Sequence, residues 1–270
     1  MYGDYFNLRE APFNGTPNPR FLYLSAGHHR ALDHLRFGVE HRRGFVVLTG
    51  EVGAGKTTLC RTLLGQLGPQ FRTALILNPS LSETQLLRAV VTEFGVCDPK
   101  GDRLKLRETL NAFLINELAA DRICVLIIDE AQHMSIELLE KVRLLSNLET
   151  EDRKLMQIVL AGQPELARKL ADPRLRQLRQ RVTVSDHLGP IGLDETCHYI
   201  RHRLAVAGAN GRPAFDPESL PLIHRHAAGL PRLLNAICDL ALLAAYADRV
   251  DRVTPQHVTA AAEDLKGSLS

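Results

Sequence analysis

The sequence predicts an α/β fold: a five-stranded parallel sheet between helices, followed by a C-terminal all-helical piece. Three observations carry this. Short apolar runs recur at Phe45–Leu48, Thr73–Leu77, Ile123–Ile128 and Leu155–Ala161, and the alternating Val182–Leu188 supplies a fifth strand. Two of these runs end in residues suited to phosphate and metal chemistry. From Gly189 onward the strands stop and helix-start signals follow one another. The expected domains are therefore 1–190 and 191–270, with Gly189-Pro-Ile-Gly192 as linker.

Residues 1–27 are proline-broken and aromatic-rich, from Phe6 and Leu8 through Pro12-Phe13 and Thr16-Pro17-Asn18-Pro19 to Phe21-Leu-Tyr-Leu24. That composition predicts an ordered extended segment packed on the body rather than a disordered arm. His28 to His41 reads as a helix with Leu32, Leu35, Phe37 and Val39 as its apolar positions.

The run Phe45-Val-Val-Leu48 leads into Gly50-Glu51-Val52-Gly53-Ala54-Gly55-Lys56-Thr57, which fits the phosphate-binding P-loop pattern. The glycines let successive N–H groups turn inward toward a phosphate, and the following helix, which begins with Thr58 and Leu59, aims its positive end at the same anion. Lys56 would reach the β- and γ-phosphates, and the Thr57 hydroxyl would ligate Mg²⁺.

After the second strand, Ser82 and Gln85 predict a capped helix with Leu86, Leu87, Val90, Val91 and Phe94 facing inward. Asp102 is positioned to cap the next helix, in which Leu104, Leu106, Leu110, Phe113, Leu114 and Leu118 keep helical spacing. The third run ends in Asp129-Glu130, as a central parallel strand does when it stops at an active site. If that strand neighbours the first, the acidic pair lies beside the P-loop. Asp129 would then hold the Mg²⁺ hydration shell, and Glu130 would act as general base on the attacking water. The plainer reading is an Asp-Glu pair capping a helix.

Ser135 opens a helix drawn through Leu148, and the fourth strand ends in Gly162-Gln163-Pro164. A polar side chain at that tip either touches the γ-phosphate or the attacking water, or is a turn residue. Arg174, Arg176, Arg179 and Arg181 then crowd into eight residues. They form either a solvated basic face or a source of one arginine for a neighbouring subunit's γ-phosphate. In the helical piece, starts are marked at Asp194, Asp216-Pro217, Pro231 and Thr254-Pro255. Arg232 sits at a helix start, where positive charge is disfavoured, so it is a candidate for an external anion such as a nucleotide phosphate.

Bulk composition narrows the class. The 270 residues carry a net charge of +2, so any nucleic-acid contact would have to be a local patch. The cysteines, Cys60, Cys97, Cys124, Cys197 and Cys238, are scattered without a C-x-x-C and read as free thiols in a reducing compartment. Met1-Tyr-Gly-Asp-Tyr5 lacks a basic start and an apolar run, so no signal peptide is expected. The stretch Ile237–Ala247 is too short for a membrane span and contains Asp239.

Together, the P-loop, Asp129-Glu130, the polar strand tip, the arginine before the fifth strand and the helical Gly-x-Pro-Arg232 resemble an AAA+ ATPase with its C-terminal lid. The opening Phe6-x-Leu8…Pro12-Phe13…Arg20-Phe-Leu-Tyr-Leu-Ser25, Leu160-Ala-Gly-Gln-Pro-Glu-Leu166 and Arg179-Gln-Arg181 narrow this further. They resemble the general secretion pathway protein A type, with its pilus and exopolysaccharide/exosortase relatives. The resemblance implies ATP and Mg²⁺ as ligands, Gln163 in the sensor 1 position, Arg181 as arginine finger and Arg232 as sensor 2. It also implies adenine near residues 20–29 and a homo-oligomer whose hydrolysis changes the lid angle.

The further expectations are a cytoplasmic location, with the inner face of the inner membrane reached through partners, and an envelope-machine protein partner. The secretion prototype continues into a membrane helix and a peptidoglycan-binding domain, whereas this sequence stops at Ser270, so a fragment or a stand-alone version is expected. Two alternatives stand beside the assembly ATPase. One is a DNA-associated AAA+ regulator using Arg174–Arg181, Arg201-His-Arg203 and His224-Arg-His226. The other is a nucleotide-switch scaffold, against which Glu130 argues.

Overall fold

The computed structural model describes residues 2–16, 18–96, 101–146 and 154–267. Cys97 and Leu148 lie outside them. The chain divides into two compact units, one of residues 28–50 and 59–188 and the other of residues 1–27, 51–58 and 189–270.

The first unit holds a five-stranded sheet of β1 (Phe45–Gly50), β2 (Phe71–Ile76), β3 (Ile123–Ile128), β4 (Met156–Gly162) and β5 (Val182–Leu188). All pairings are parallel, in the order β2-β3-β4-β1-β5. Parallel strands covered on both faces need apolar residues at every position rather than at alternate ones. β3 meets that requirement, with Val125, Leu126, Ile127 and Ile128 all at 0% exposure. β5, at the sheet edge, alternates between half-buried and exposed positions until Leu188.

Helix α2 (Ala26–Glu40) precedes β1; α3 (Lys56–Gln66), α4 (Glu83–Glu93), α5 (Arg103–Ala119) and α6 (Ile136–Leu145) connect the strands, with the short α7 (Pro164–Leu170) and α8 (Arg176–Arg181) between β4 and β5. One core combines Leu126 and Ile128 of β3 with Ile158 and Leu160 of β4, Leu87 and Val91 of α4, and Leu106, Leu110 and Leu114 of α5. Each such side chain contributes about 1.5–3 kcal/mol by leaving water. The predicted caps form as drawn: Ser82 with Gln85 makes a complete capping box, and Asp102 and Ser135 each accept a first-turn N–H.

Some details differ from the sequence reading. Leu77 lies past the end of β2 and is exposed, as is Leu104, which precedes the buried stripe of α5. Phe37 is also exposed and stacks on His41, with the Arg43 guanidinium over its ring.

The second unit contains α1 (Tyr2–Tyr5), α9 (Leu193–Val206), α10 (Ser219–Ala227), α11 (Pro231–Ala247) and α12 (Pro255–Gly267). It is helical with one addition, a parallel pair of two-residue strands, β6 (Ala214–Phe215) and β7 (Arg252–Val253). Helix α9 begins one residue before Asp194, after Gly192. Glu195 rather than Asp194 closes that end, its carboxylate accepting the N–H groups of Gly192 and Ala26. Asp216-Pro217 precedes α10 by a turn, with Ser219 its first helical residue. The aromatic N-terminal segment, expected within the 1–190 domain, groups with these helices instead. Phe6 and Phe13 are buried in one core with Ile191, Tyr199, Ile237 and Leu242.

Candidate functional site

The carboxyl end of β1 passes directly into the glycine-rich turn. Gly50 closes the strand, Glu51 and Val52 are exposed, and Gly53 and Gly55 take φ of +80° and +99°, a left-handed conformation that side chains resist. The Ala54 N–H donates to the Glu51 carbonyl at 3.1 Å. Helix α3 starts at Lys56, followed by half-buried Thr57 and Thr58. Lys56 is itself buried, and its ammonium donates to the Glu51 carbonyl at 2.9 Å, folding the side chain back over the turn.

Within the same unit, the first turn of α11 abuts this loop. The Arg232 N–H donates to the Gly53 carbonyl at 3.2 Å, and a Cβ on Gly53 would lie 2.3 Å from the Arg232 Cβ. Glycine is thus required here for space as well as for φ. The Arg232 side chain is exposed at the helix start.

In the sheet unit, Asp129 follows β3, nearly fully buried, with its N–H donating to the Ile76 carbonyl at 2.8 Å. Its carboxylate accepts the Glu130 N–H at 2.9 Å. Glu130 takes φ of +52°, a left-handed conformation uncommon for a side chain. Its carboxylate accepts from two amides, Gln132 Nε2 and, at 3.3 Å, Gln163 Nε2.

Gln132, unnoticed in the sequence, organises this corner. It is 8% exposed, and its oxygen accepts the Gln163 N–H at 3.0 Å. Lys169 of α7 donates to the backbone carbonyls of Gln132 and, at 2.7 Å, Met134. Gly162 leaves room for it, since a Cβ there would sit 2.7 Å from the Gln132 oxygen. Its bond to Glu130 is local, but the link that ties it to the tip of β4 lies 31 residues on, and the sequence does not mark it.

The strands β1 and β3 are not neighbours, as direct adjacency of the acidic pair and the P-loop required. β4 lies between them, and both pair with it in parallel, so all three end on one edge.

The arginine run is unevenly engaged. Arg174 forms a bidentate pair with Asp172, Arg179 reaches the Ala171 carbonyl at 3.4 Å, and Arg181 donates to the Ser146 hydroxyl at 2.7 Å. Arg176 is exposed and makes no hydrogen bond or ion pair among the described residues.

A glycine-rich loop opening a helix after β1, with an acidic pair ending another strand on the same edge, defines a P-loop nucleoside triphosphatase fold. Residues 39–170 match the AAA domain family, and they contain the loop, Asp129, Glu130 and Gln163. The chain therefore carries an AAA domain over these residues.

More particularly, it is 46% identical over 268 residues to general secretion pathway protein A of Aeromonas hydrophila. The match covers 99% of this chain and 49% of that protein, so the chain spans about half the length of this relative. Among solved structures, the ORC2 protein of Aeropyrum pernix, in ADPNP–ADP complexes, shares the fold with a TM-score of 0.72 at 18% identity, covering 94% of this chain and 71% of that one. A RuvB mutant of Thermotoga maritima does so with a TM-score of 0.61 at 18% identity, covering 88% and 70%. Among the described residues, no helix is long and apolar enough to cross a membrane.

Proposed function

We propose that the chain is a Mg²⁺-dependent ATPase that acts as an oligomer and drives or regulates assembly of an envelope secretion, pilus or polysaccharide-export machine. The observation that carries the catalytic part is Glu130, held in a left-handed turn at the end of β3 and fixed between two amide donors. A carboxylate so oriented suits proton abstraction from water. The machine assignment rests on the similarity to the secretion-pathway relative.

The residues fit the ligands. The left-handed glycines of the 50–58 turn suit a phosphate, and Lys56 supplies the charge that meets the β- and γ-phosphates. The Thr57 hydroxyl and the Asp129 carboxylate are the hard oxygen donors Mg²⁺ prefers, and few protein ligands suit an ion that keeps waters and phosphate oxygens. The metal's contribution would be to neutralise charge on the β- and γ-oxygens. Glu130 accepts a proton from the attacking water, Gln163 orients that water or the γ-phosphate, and Arg232 contacts the phosphates from α11. An arginine from a second subunit completes the site, a contribution worth about 10³–10⁵ in rate for phosphoryl transfer.

Arg181 is the first candidate for that role, with Arg176 beside it because it makes no hydrogen bond or ion pair among the described residues of its own subunit. The test is the steady-state ATPase rate of Lys56→Ala, Glu130→Gln, Arg181→Ala and Arg176→Ala. Loss in the first two and in one arginine variant supports the reading. Wild-type rates in Lys56→Ala and Glu130→Gln refute it.

A further inference from the structure

Arg203 is 7% exposed in the helical unit, and no carboxylate neutralises it among the described residues. A buried charge is costly unless its donors are all satisfied. Arg203 offsets that cost with acceptors for three of its five N–H donors, drawn from two directions. Its Nε donates to the Pro12 carbonyl at 2.6 Å and one terminal nitrogen to the Asn14 carbonyl at 3.1 Å, both in the N-terminal segment. The other terminal nitrogen donates to the Tyr199 hydroxyl at 3.1 Å. The guanidinium also lies over the rings of Phe21 and Tyr199, at 4.8 and 5.6 Å.

The chain of bonds does not stop there. The Tyr199 hydroxyl, buried, donates to the Asn235 side-chain oxygen at 2.7 Å. Asn235 lies on α11, one turn after Arg232 and on neighbouring helix surface. The first turn of α11 is the part that touches the P-loop, through the Arg232 N–H and the close approach to Gly53. Three consecutive hydrogen-bonded links thus run from the backbone of residues 12–14 through Arg203 and Tyr199 to Asn235, and one turn of α11 separates Asn235 from the Arg232 N–H that meets the glycine turn. Tyr23 of the same N-terminal segment adds an edge-on ring contact to Tyr199.

We propose that Arg203 and Tyr199 are positioning residues for the nucleotide site: they tie the N-terminal segment to α11 and thereby set where Arg232 and the P-loop stand. This rests on the nucleotide reading of residues 50–58. The N-terminal segment is then a strap whose attachment tunes nucleotide affinity, and the Tyr199 hydroxyl is the transmitting atom.

The test uses the full chain with a fluorescent ATP analogue. Tyr199→Phe deletes only the hydroxyl and keeps the ring in the core, so folding is retained, checked by urea unfolding. The expected result is an affinity about threefold to tenfold weaker, the range one hydrogen bond supplies. KM for ATP rises by the same factor, and kcat at saturation is unchanged. In an Arg232→Ala background the same change costs less than about twofold, because the two act through one element. Arg203→Met, harsher to the fold, is expected to weaken affinity further.

Equal losses in both backgrounds, or a lower urea midpoint with unchanged affinity, overturn the proposal. The two readings fail differently. If wild type binds, Lys56→Ala does not, and Tyr199→Phe matches wild type, the positioning role alone falls. If wild type and Lys56→Ala both fail to bind, the nucleotide reading falls and takes this one with it.

Discussion

Gln132→Ala removes two side-chain hydrogen bonds in one truncation. The amide N–H leaves the Glu130 carboxylate, and the amide oxygen leaves the Gln163 N–H. The site is 8% exposed, so water replaces these partners poorly. A neutral hydrogen bond contributes about 0.5–1.5 kcal/mol and one to a charged group about 1.5–3 kcal/mol. The Glu130 side chain is 38% exposed, so its bond belongs at the low end. Together they come to about 2–3 kcal/mol. The share at Gln163 N–H is lost stability, about 1 kcal/mol in urea unfolding. On the proposal that Glu130 is the general base, the share at Glu130 is lost orientation of a group worth about 10²–10⁴ in rate when correctly held. The expected result is a kcat lower by about tenfold or more, with nucleotide affinity within about twofold of wild type. A variant that loses stability but keeps wild-type kcat would refute the reasoning, because Gln132 would then be only scaffold. Gln132→Glu sharpens the comparison. It sets a second carboxylate against Glu130, and at neutral pH its kcat is expected to fall at least as far as that of Gln132→Ala.

Three further outcomes follow from the packing. Phe6→Ala empties a site 2% exposed in the helical core and is expected to cost about 3–4 kcal/mol, read as a lower thermal midpoint. Glu117, bonded to Arg122 and to Arg72, has its carboxyl held below the usual range, first by the Arg122 bond. A depressed folded value adds stability above the unfolded pKa that is lost as pH falls through the folded one. Glu117→Gln is therefore expected to be less stable than wild type at neutral pH, with the gap closing below about pH 4, checked by urea unfolding across pH. Burial pushes the Cys124 thiol up to about 12 and raises Cys238 as well, whereas Cys197 is half-buried. Brief maleimide treatment of the native protein, mapped by mass, is expected to label Cys197 and to leave Cys60, Cys124 and Cys238 unmodified.

The sheet was legible because its chemistry is one-dimensional. A strand buried on both faces is predominantly apolar, and β1, β3 and β4 are, with Thr49 in β1 and Gln157 in β4 as buried polar exceptions; an edge strand alternates, and β5 does. The start of β2 was missed because Arg72 interrupts the apolar pattern, its exposed guanidinium paired with Glu117 45 residues away. Caps such as Ser82 and Asp102 are local bonds, so spacing reveals them, whereas at α9 the start read at Asp194 falls past the capping Gly192, which has no side chain to signal it. Arg232 stood out because a cation at a helix start opposes the dipole. Gln132 and Arg203 did not, since each takes its meaning from partners far along the chain: Gln163 for the first, Pro12 and Asn14 for the second. The N-terminal segment showed its order through its aromatic content, but not which unit would bury Phe6 and Phe13. The β6/β7 pair is two residues long, below what alternation can signal.

The central claim is an ATPase whose base is Glu130 and whose site is completed by a second subunit. Its most direct test is the rate per subunit against protein concentration, for wild type and Glu130→Gln, with particle mass measured in the same ATP-containing buffer. The account predicts a wild-type rate per subunit that rises with concentration in step with a larger particle, and a Glu130→Gln variant that assembles but does not turn over. A constant rate per subunit from a monomer would contradict the shared site, and turnover by Glu130→Gln at the wild-type rate would contradict the assignment of the base.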